Sequence, residues 1–328
     1  MPSNQSPLGA LPARFRRERI LIVGCGDVGL RVAGGLRGRV RLLALSSSSG
    51  RVEELRAHGI TPLRGDLDRP ASIGRLAGLA TRVIHLAPPR AEGDRQWWRD
   101  LRTWALLLAL RRRSRPRAIV YGSTTGVYGD CGGERVAETR PPHPRTPRAQ
   151  RRLDAENAVR HFGRAAHVRA AILRIPGIYA TDRKGGTPRE RLLRGTPVLA
   201  AQDDVYTNHI HADDLARAVV AALWRGKPQR VYNVSDDTEL KMGDYFDLAA
   251  DLYGLPRPPR VPRSTARDEL PLMLLSFMSE SRRLDNGRLK TELRLVPNHP
   301  TVASGLRSGP VPAAPAPQRS DAGRLGDG

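Results

Sequence analysis

A glycine-rich turn near the start of the chain constrains the fold more than any other segment. Residues 20–23 are apolar and typical of a buried parallel strand, and Gly24, Gly26 and Gly29 follow at G-x-G-x-x-G spacing. An apolar-patterned helix and a second apolar run over residues 40–45 complete a strand–helix–strand unit. This order predicts an α/β fold with a doubly wound parallel sheet, and a dinucleotide bound at the turn. The alternative is an ordinary glycine turn without a ligand.

The glycines have separate predicted roles. Gly24 permits the tight turn, Gly26 lets the backbone approach a pyrophosphate, and Gly29 lets the helix pack closely on the sheet. Asp27 and Val28 begin that helix, whose free N–H groups and dipole favour phosphate charge.

The end of the second strand bears on cofactor choice. An acidic residue that binds the ribose 2′-hydroxyl of NAD is expected there, but the sequence runs from Ser46 through further serines and a glycine to Arg51. Serine hydroxyls and an arginine suit a 2′-phosphate, so NADP is predicted in preference to NAD. A solvated turn that touches no cofactor is the alternative.

Composition argues against a specific nucleic-acid partner, although the net charge is +22. The arginines are scattered through every segment, and no aromatic-interleaved basic platform accompanies them. We interpret the excess of arginine as a compositional bias that gives the protein non-specific affinity for anions. A dedicated anion- or nucleic-acid-binding protein is a weaker hypothesis, and strongly salt-sensitive DNA binding would support it.

Cysteine use and hydropathy predict a cytoplasmic protein. Cys25 and Cys131 are too few for a disulfide framework, which suits a reducing compartment. We expect no secretory signal in residues 1–17, and the apolar run over residues 104–110 is too short to span a bilayer.

A second informative stretch, residues 118–130, predicts a strand that runs into a Ser/Thr-rich turn. By this point the chain resembles the extended or atypical short-chain dehydrogenase/reductases of the sugar-nucleotide epimerase/dehydratase group, over about residues 19–307. The matching segments are Asp66-Leu67, His85–Ala87, Ser123–Gly129, Arg174–Tyr179, Asn208–Leu215 and Arg230–Ser235.

The resemblance implies a small-molecule substrate, hydride transfer and several site residues. The active-site hydroxyl falls on Thr124, next to Ser123. Further implied cofactor contacts are Asp66 and Leu67 at the adenine side, and Leu86 and Ala87 in the cofactor groove.

One departure from the family concerns its catalytic Tyr-x-x-x-Lys pair, in which the tyrosine is the general acid/base and the lysine holds the ribose. Alignment on the helix over residues 151–156 places Arg148 and Arg152 at these positions. Arginine does not shuttle protons at neutral pH, so the sequence predicts loss of the standard pair. Arg152 still suits a ribose or phosphate contact. Tyr128 and Tyr179 are interpreted as structural rather than as replacements.

Two further patterns leave alternatives open. His209 and His211 share a strand face near Asp213 and Asp214, but no third ligand has suitable spacing. Asp213 is expected to N-cap a helix over residues 215–224, and we predict no metal. Arginines and Lys184 in residues 182–195 suit a phosphorylated or nucleotide-linked ligand, or form a solvated loop.

A helix predicted over residues 95–112 carries tryptophans and leucines at i, i+3 and i+4 spacing, including Trp97, Trp98 and Leu101. This face suits either an intrachain core or a homodimer contact.

The predicted organisation is a flexible tail (residues 1–17), an NAD(P)-binding Rossmann domain (18–175), a small C-terminal substrate lobe with segments returning to that domain (176–307), and a disordered tail (308–328). The leading functional hypothesis is an epimerase/dehydratase-type enzyme that acts on a sugar-nucleotide-like or other polar substrate. The alternative is a non-catalytic NAD(P)-binding sensor or scaffold.

Overall fold

The protein is described by a computed structural model that covers residues 18–90, 96–270, 275 and 278–308. The two predicted tails lie outside these residues, except for Ser308. The strands are β1 (Arg19–Val23), β2 (Arg41–Ser46), β3 (Thr61–Arg64), β4 (Arg82–His85), β5 (Ala118–Thr124), β6 (Arg135–Val136), β7 (Arg169–Ile175), β8 (Gly177–Tyr179), β9 (Val198–Leu199), β10 (Tyr206–Thr207), β11 (His209–His211), β12 (Arg230–Asn233), β13 (Leu240–Lys241), β14 (Arg260–Val261) and β15 (Arg283–Leu284).

Helices occupy much of the remaining described chain. They are α1 (Asp27–Leu36), α2 (Val52–Ala57), α3 (Leu101–Arg111), α4 (Pro147–Ala166), α5 (Arg189–Leu193), α6 (Ala212–Arg225), α7 (Met242–Tyr253), α8 (Arg263–Glu269), α9 (Gly287–Thr291) and α10 (Val302–Arg307). In the part of the chain that the structure describes, no helix is both long and apolar enough to cross a membrane.

Seven parallel strands form the central sheet, in the order β12-β7-β5-β4-β1-β2-β3. The order reverses between β1 and β4, which places a crevice at the carboxyl ends of these two strands. Helices cover both faces, and the predicted doubly wound α/β fold is confirmed.

The side chains of β1 point alternately to the two faces of the central sheet, which explains why helices cover both faces. Ile20 and Ile22 pack in the core beside α1 and α6, whereas Leu21 and Val23 pack in the core beside α3 and α4. Successive side chains of a strand point to opposite faces, so an uninterrupted apolar run requires two apolar layers.

The later segments build smaller units beyond the carboxyl ends of the sheet. Strand β8 follows β7 directly and pairs in parallel with β11, with Gly177 opposite His209. A separate apolar cluster, which includes Leu192 and Phe246, packs α5, α7 and α10 together. Strand β12 returns to the main sheet beside β7.

Two predicted helix boundaries were wrong. Helix α3 begins at Leu101, because the Asp100 carboxylate caps it by accepting from the Thr103 amide at 3.4 Å, so Trp97 and Trp98 precede the helix. Helix α6 begins at Ala212, and His211 rather than Asp213 is its N-cap.

Candidate functional site

A cavity of about 990 Å³ opens at the carboxyl ends of β1, β5 and β7, next to the reversal of strand order. Parallel α/β sheets bind ligands at this place. Its lining includes, from the predicted cofactor residues, Gly24, Gly26, Asp27, Val28, Gly29, Leu86 and Arg152, and from the predicted catalytic residues, Ser123, Thr124, Arg148 and Arg152.

The three glycines differ in the space around them. Gly24 has a φ of +86°, and a Cβ placed there would lie 2.3 Å from the Ala87 amide nitrogen. A Cβ on Gly29 would lie 3.3 Å from the Gly24 carbonyl oxygen, so this glycine permits close packing of α1 on β1. A Cβ on Gly26 would meet no described atom within 4 Å. The open face of Gly26 leaves room for a ligand at the start of α1.

Helix α1 presents its N-terminus at this turn. Its N-cap is Gly26, which has no side chain to satisfy the first amides, so those N–H groups remain suited to an anionic ligand. Asp27 places a carboxylate in the same turn, but its Oδ1 accepts from Arg31 Nε at 3.1 Å and its Oδ2 lies 3.6 Å from Arg183 Nε. The two arginines offset a charge that would otherwise repel phosphate.

Arg51 reaches the glycine turn from the end of β2. Its Nη1 donates to the Cys25 carbonyl oxygen at 2.7 Å, and its Nε donates to Glu54 at 2.8 Å. The Ser46 hydroxyl donates to the Ser48 carbonyl oxygen. A guanidinium therefore lies against the glycine turn, close to the end of β2.

Some predicted cofactor residues lie outside the lining of the cavity: Ser46, Arg51, Asp66, Leu67 and Ala87. Ala87 nevertheless backs the turn, because its amide donates to the Val23 carbonyl oxygen at 3.0 Å. The Asp66 amide donates to the Ser72 hydroxyl at 2.8 Å, which fixes the loop after β3.

Ser123 and Thr124 end β5 and differ in their hydrogen bonds. The buried Ser123 hydroxyl donates to Glu156 Oε1 at 2.6 Å, so its proton is already used. Thr124 Oγ1 accepts from the Gly126 amide at 3.3 Å, which leaves its hydroxyl proton for another acceptor. Of the two, Thr124 is the hydroxyl able to donate to a ligand.

Arg148 and Arg152 lie one helical turn apart on α4. Arg152 Nη1 donates to the Gly122 carbonyl oxygen at 2.6 Å and to the Tyr121 hydroxyl at 3.3 Å. Arg148 is exposed on the cavity lining, and partial desolvation together with the neighbouring Arg152 charge lowers its pKa below the ordinary value. The fold thus brings both arginines to the cavity that Thr124 lines.

The opposite end of the cavity is also basic. Arg191 stacks 4.2 Å above the Phe246 ring, and its Nε and Nη2 are buried without a hydrogen-bond partner among the described residues. Burial lowers the pKa of Arg191 to about 10. Arg282 donates to the Gly129 carbonyl oxygen and to Glu280, each at 2.8 Å. Arg183 and Arg191 come from the predicted basic loop, whereas sequence analysis did not identify Phe246 or Glu280 as lining residues.

His209 is a further lining residue that we had considered only as a metal ligand. It is 7% exposed, its Nδ1 has no partner among the described residues, and its ring lies 4.2 Å from that of Tyr245. Burial lowers its pKa to about 4, so the imidazole is neutral at pH 7.

A three-residue cluster meets the geometric minimum for a metal site. Ligand atoms of His211, Asp213 and His299 lie within 4.8 Å of one another, and His299 is the third group that spacing did not reveal. However, His211 Nδ1 accepts from the Asp213 amide, and the Asp213 carboxylate pairs with Arg31. Because these contacts already use His211 and Asp213 to cap α6 and to bind Arg31, we propose no metal there.

Comparisons with known proteins agree with this geometry. The sequence model of the NAD dependent epimerase/dehydratase family matches residues 20–235. GDP-6-deoxy-D-mannose reductase of Pseudomonas aeruginosa is 29% identical over 211 residues, which cover 58% of this chain and 69% of that protein. The family resemblance predicted from the sequence is confirmed, and with it a nicotinamide dinucleotide as the cofactor of the family.

Two solved structures share the whole architecture. A functionally unknown conserved protein from Silicibacter pomeroyi is 29% identical, with a TM-score of 0.72 over 88% of this chain and 97% of that chain. UDP-glucose 4-epimerase from Thermotoga maritima, solved with UDP-glucose, is 22% identical, with a TM-score of 0.72 over 88% of this chain and 96% of that chain. At this identity the second likeness concerns the fold alone.

Proposed function

Because this chain belongs to the NAD dependent epimerase/dehydratase family, we propose that it binds NADP or NAD in the cavity and transfers hydride to or from a polar, anionic small molecule. The observation that carries the proposal is the continuity of the cavity, which joins the open face of Gly26 to Thr124 and then to Arg191. A dinucleotide and a second ligand fit such an arrangement.

The cofactor half corresponds to residues 18–175 and the substrate lobe to residues 176–307. The pyrophosphate would meet the start of α1 at Gly26, and the adenosine would extend towards Ser46, Asp66 and Leu67. Arg51 supports NADP over NAD, since its guanidinium lies against the glycine turn and suits a 2′-phosphate.

The substrate half supports a phosphorylated or nucleotide-linked molecule. Arg183, Arg191 and Arg282 line it, and Arg191 keeps two buried nitrogens without a partner among the described residues. The name of the Pseudomonas aeruginosa relative, a GDP-6-deoxy-D-mannose reductase, also supports a nucleotide-linked sugar. Guanidinium groups bind phosphate oxygens through paired, charge-assisted hydrogen bonds.

A bound nicotinamide would supply hydride chemistry, and the chain would supply orientation and hydrogen bonds. Thr124 would donate its hydroxyl proton in a hydrogen bond to a substrate oxygen, and Ser123 would stay bound to Glu156. Arg152, held by the Gly122 carbonyl oxygen, would face the ribose or a phosphate.

Calorimetric titration with NADPH, NADH and their oxidised forms, followed by a hydride-exchange assay, tests this function. Micromolar binding with exchange on a nucleotide-linked sugar is the expected result. The Gly26→Glu variant should lose binding through steric clash and charge repulsion, whereas Gly35→Glu, at an exposed position of α1 with open space around it, should bind normally. Equal binding by both variants, or no binding by the native protein, would refute the proposed site.

The second candidate function is a non-catalytic NAD(P)-binding sensor or scaffold. The feature that supports it is our sequence alignment, which puts Arg148 and Arg152 at the positions of the family's tyrosine and lysine, because arginine does not exchange protons at neutral pH. Binding without hydride exchange across varied substrates would favour this function. The buried free thiols of Cys25 and Cys131 support a reducing cytoplasm as the compartment for either function.

A further inference from the structure

We propose that Arg148 and Arg152 form an anion site at the start of α4, which holds a carboxylate or phosphate group of the substrate at the Thr124 end of the cavity. The inference rests on the proposed function and adds to it a substrate class: a molecule whose reacting end, and not only its distant end, is an oxyanion.

Arg148 supplies a guanidinium that the fold leaves without a partner. It lines the cavity, and it has no hydrogen bond, ion pair or ring contact among the described residues. It also lies four residues before Arg152, and like charges at this spacing on a helix repel. An anion between the two side chains would remove this repulsion.

Arg152 supplies a fixed second contact. It is 7% exposed, and its Nη1 is held by the Gly122 carbonyl oxygen and the Tyr121 hydroxyl. Its Nε is buried without a hydrogen-bond partner among the described residues. A buried donor without an acceptor is costly, so the site favours an incoming oxyanion.

The backbone N–H groups at the start of α4 add partial positive charge beside the two guanidinium groups. The Thr146 hydroxyl accepts from the Ala149 amide at 3.2 Å, the Gln150 amide donates to the Thr146 carbonyl oxygen, and Pro147 has no N–H. The Arg148 amide is therefore the remaining donor of the first turn. Together with the helix dipole, it favours an anion in the same place as the two guanidinium groups.

No carboxylate of the described lining offsets these charges. Its two acidic residues are Asp27, which is bound by Arg31, and Glu280, which is bound by Arg282. Glu156 lies nearby on α4 but pairs with Arg174. Asp100 acts electrostatically on Arg152 from outside the lining, where its carboxylate accepts from Thr103, so a counter-charge within the cavity would come from a ligand. Carboxylates and phosphates share the paired oxygens that a guanidinium recognises.

The test is calorimetric titration of the NADP⁺-saturated protein with two probes, oxalate and inorganic phosphate. Arg148→Gln should weaken the preferred anion about tenfold or more and leave NADP⁺ affinity within about twofold, since one charge-assisted contact is lost. The matched control is Arg164→Gln, which removes the same charge from another exposed position on the same helix, outside the cavity lining, and should change neither affinity.

The comparison of probes identifies the source of the anion. Tighter oxalate binding indicates a carboxylate on the substrate, and tighter phosphate binding indicates a phosphate. Arg148→Lys keeps the charge but loses the paired geometry, so it should bind the preferred anion with intermediate affinity even if Arg148→Gln proves unstable.

The inference is overturned if the native NADP⁺ complex binds neither probe, or if Arg148→Gln and Arg148→Lys bind both as the native protein does. Failure of the native protein to bind NADP⁺ at all would instead refute the proposed function.

Discussion

The Arg174 guanidinium and the Glu156 carboxylate form a two-point ion pair beneath the cavity, with Nη2–Oε2 at 2.8 Å and Nε–Oε1 at 3.1 Å. Both side chains are 2% exposed or less. Glu156 also accepts from Ser123, and Arg174 lies 4.5 Å above the Tyr128 ring. This network connects β7, α4 and the end of β5, and so fixes the backbone from which Thr124 projects.

Replacement of Glu156 by glutamine should strongly destabilise the fold. The Arg174 charge would stay buried without its counter-ion, which costs about 3–5 kcal/mol in free energy of unfolding. Urea denaturation measures the loss, and Glu53→Gln at an exposed position is the control, with an expected change within about 0.5 kcal/mol. A loss below about 1 kcal/mol in the free energy of unfolding of Glu156→Gln would show that water reaches the ion pair in solution.

Replacement of Gly24 by alanine should lower the stability of the fold, whereas replacement of Gly26 by alanine should weaken only ligand binding. Gly24→Ala forces a positive φ on alanine and a clash with the Ala87 backbone, so the melting temperature should fall by several degrees. Gly26→Ala meets open space, so its melting temperature should match the native value while dinucleotide affinity falls about tenfold or more. Thermal melts and titration with NADPH check both, and native affinity in Gly26→Ala would contradict the placement of the pyrophosphate.

Removal of Arg51 should change cofactor preference. Arg51→Ala should weaken NADPH about tenfold and NADH less than about threefold, because a guanidinium beside the glycine turn would bind the 2′-phosphate that only NADPH carries. Arg56→Ala, at the exposed end of α2, serves as the control. Competitive binding of the two nucleotides measures the ratio, and an equal effect on both would remove the argument for NADP.

Asp236 should make stability fall as pH rises. Burial is the main cause that raises the pKa of Asp236 to about 7, and neighbouring Asp237 adds repulsion; Tyr179 also faces it. Between pH 4 and 7 the folded protein keeps a proton that the unfolded chain has lost, so this group lowers stability by up to about 4 kcal/mol across that range. Below pH 4 the carboxyl is protonated in both states and the effect disappears.

Asp236→Asn should therefore be more stable than the native protein at pH 8 and about equally stable at pH 4, with its oxygen still accepting from the Thr238 amide. Urea unfolding at both pH values measures the difference. A variant that is less stable at pH 8 would show that the ionised carboxylate is favourably bound.

Helix α3 offers a test of whether its face forms a homodimer contact, one of the two alternatives that the sequence leaves open. Leu101 and Leu108 lie two turns apart and are 46% and 57% exposed. If this face forms the dimer contact, aspartate at both positions should convert a dimer to a monomer in light scattering, because charge would be buried at the interface. A native protein that is monomeric at tens of micromolar would leave the leucines as ordinary surface residues.

Local patterns in the sequence were enough to predict the doubly wound sheet, the glycine turn and the family. These depend on local order: an apolar run such as residues 20–23, glycines at set spacing, and short motifs such as Ser123–Gly129. Helix boundaries were less well predicted, because Asp100 and His211 compete with neighbouring polar residues as caps, and the choice depends on contacts made in three dimensions.

The pairing of charged groups could not be predicted from the sequence, because it depends on contacts between distant segments of the folded chain. Arg174 pairs with Glu156, 18 residues away, and Arg31 pairs with Asp213, 182 residues away, whereas Arg148 has no carboxylate partner among the described residues. Electrostatic strength depends on distance and burial, and both arise when strands and helices distant in the chain pack together.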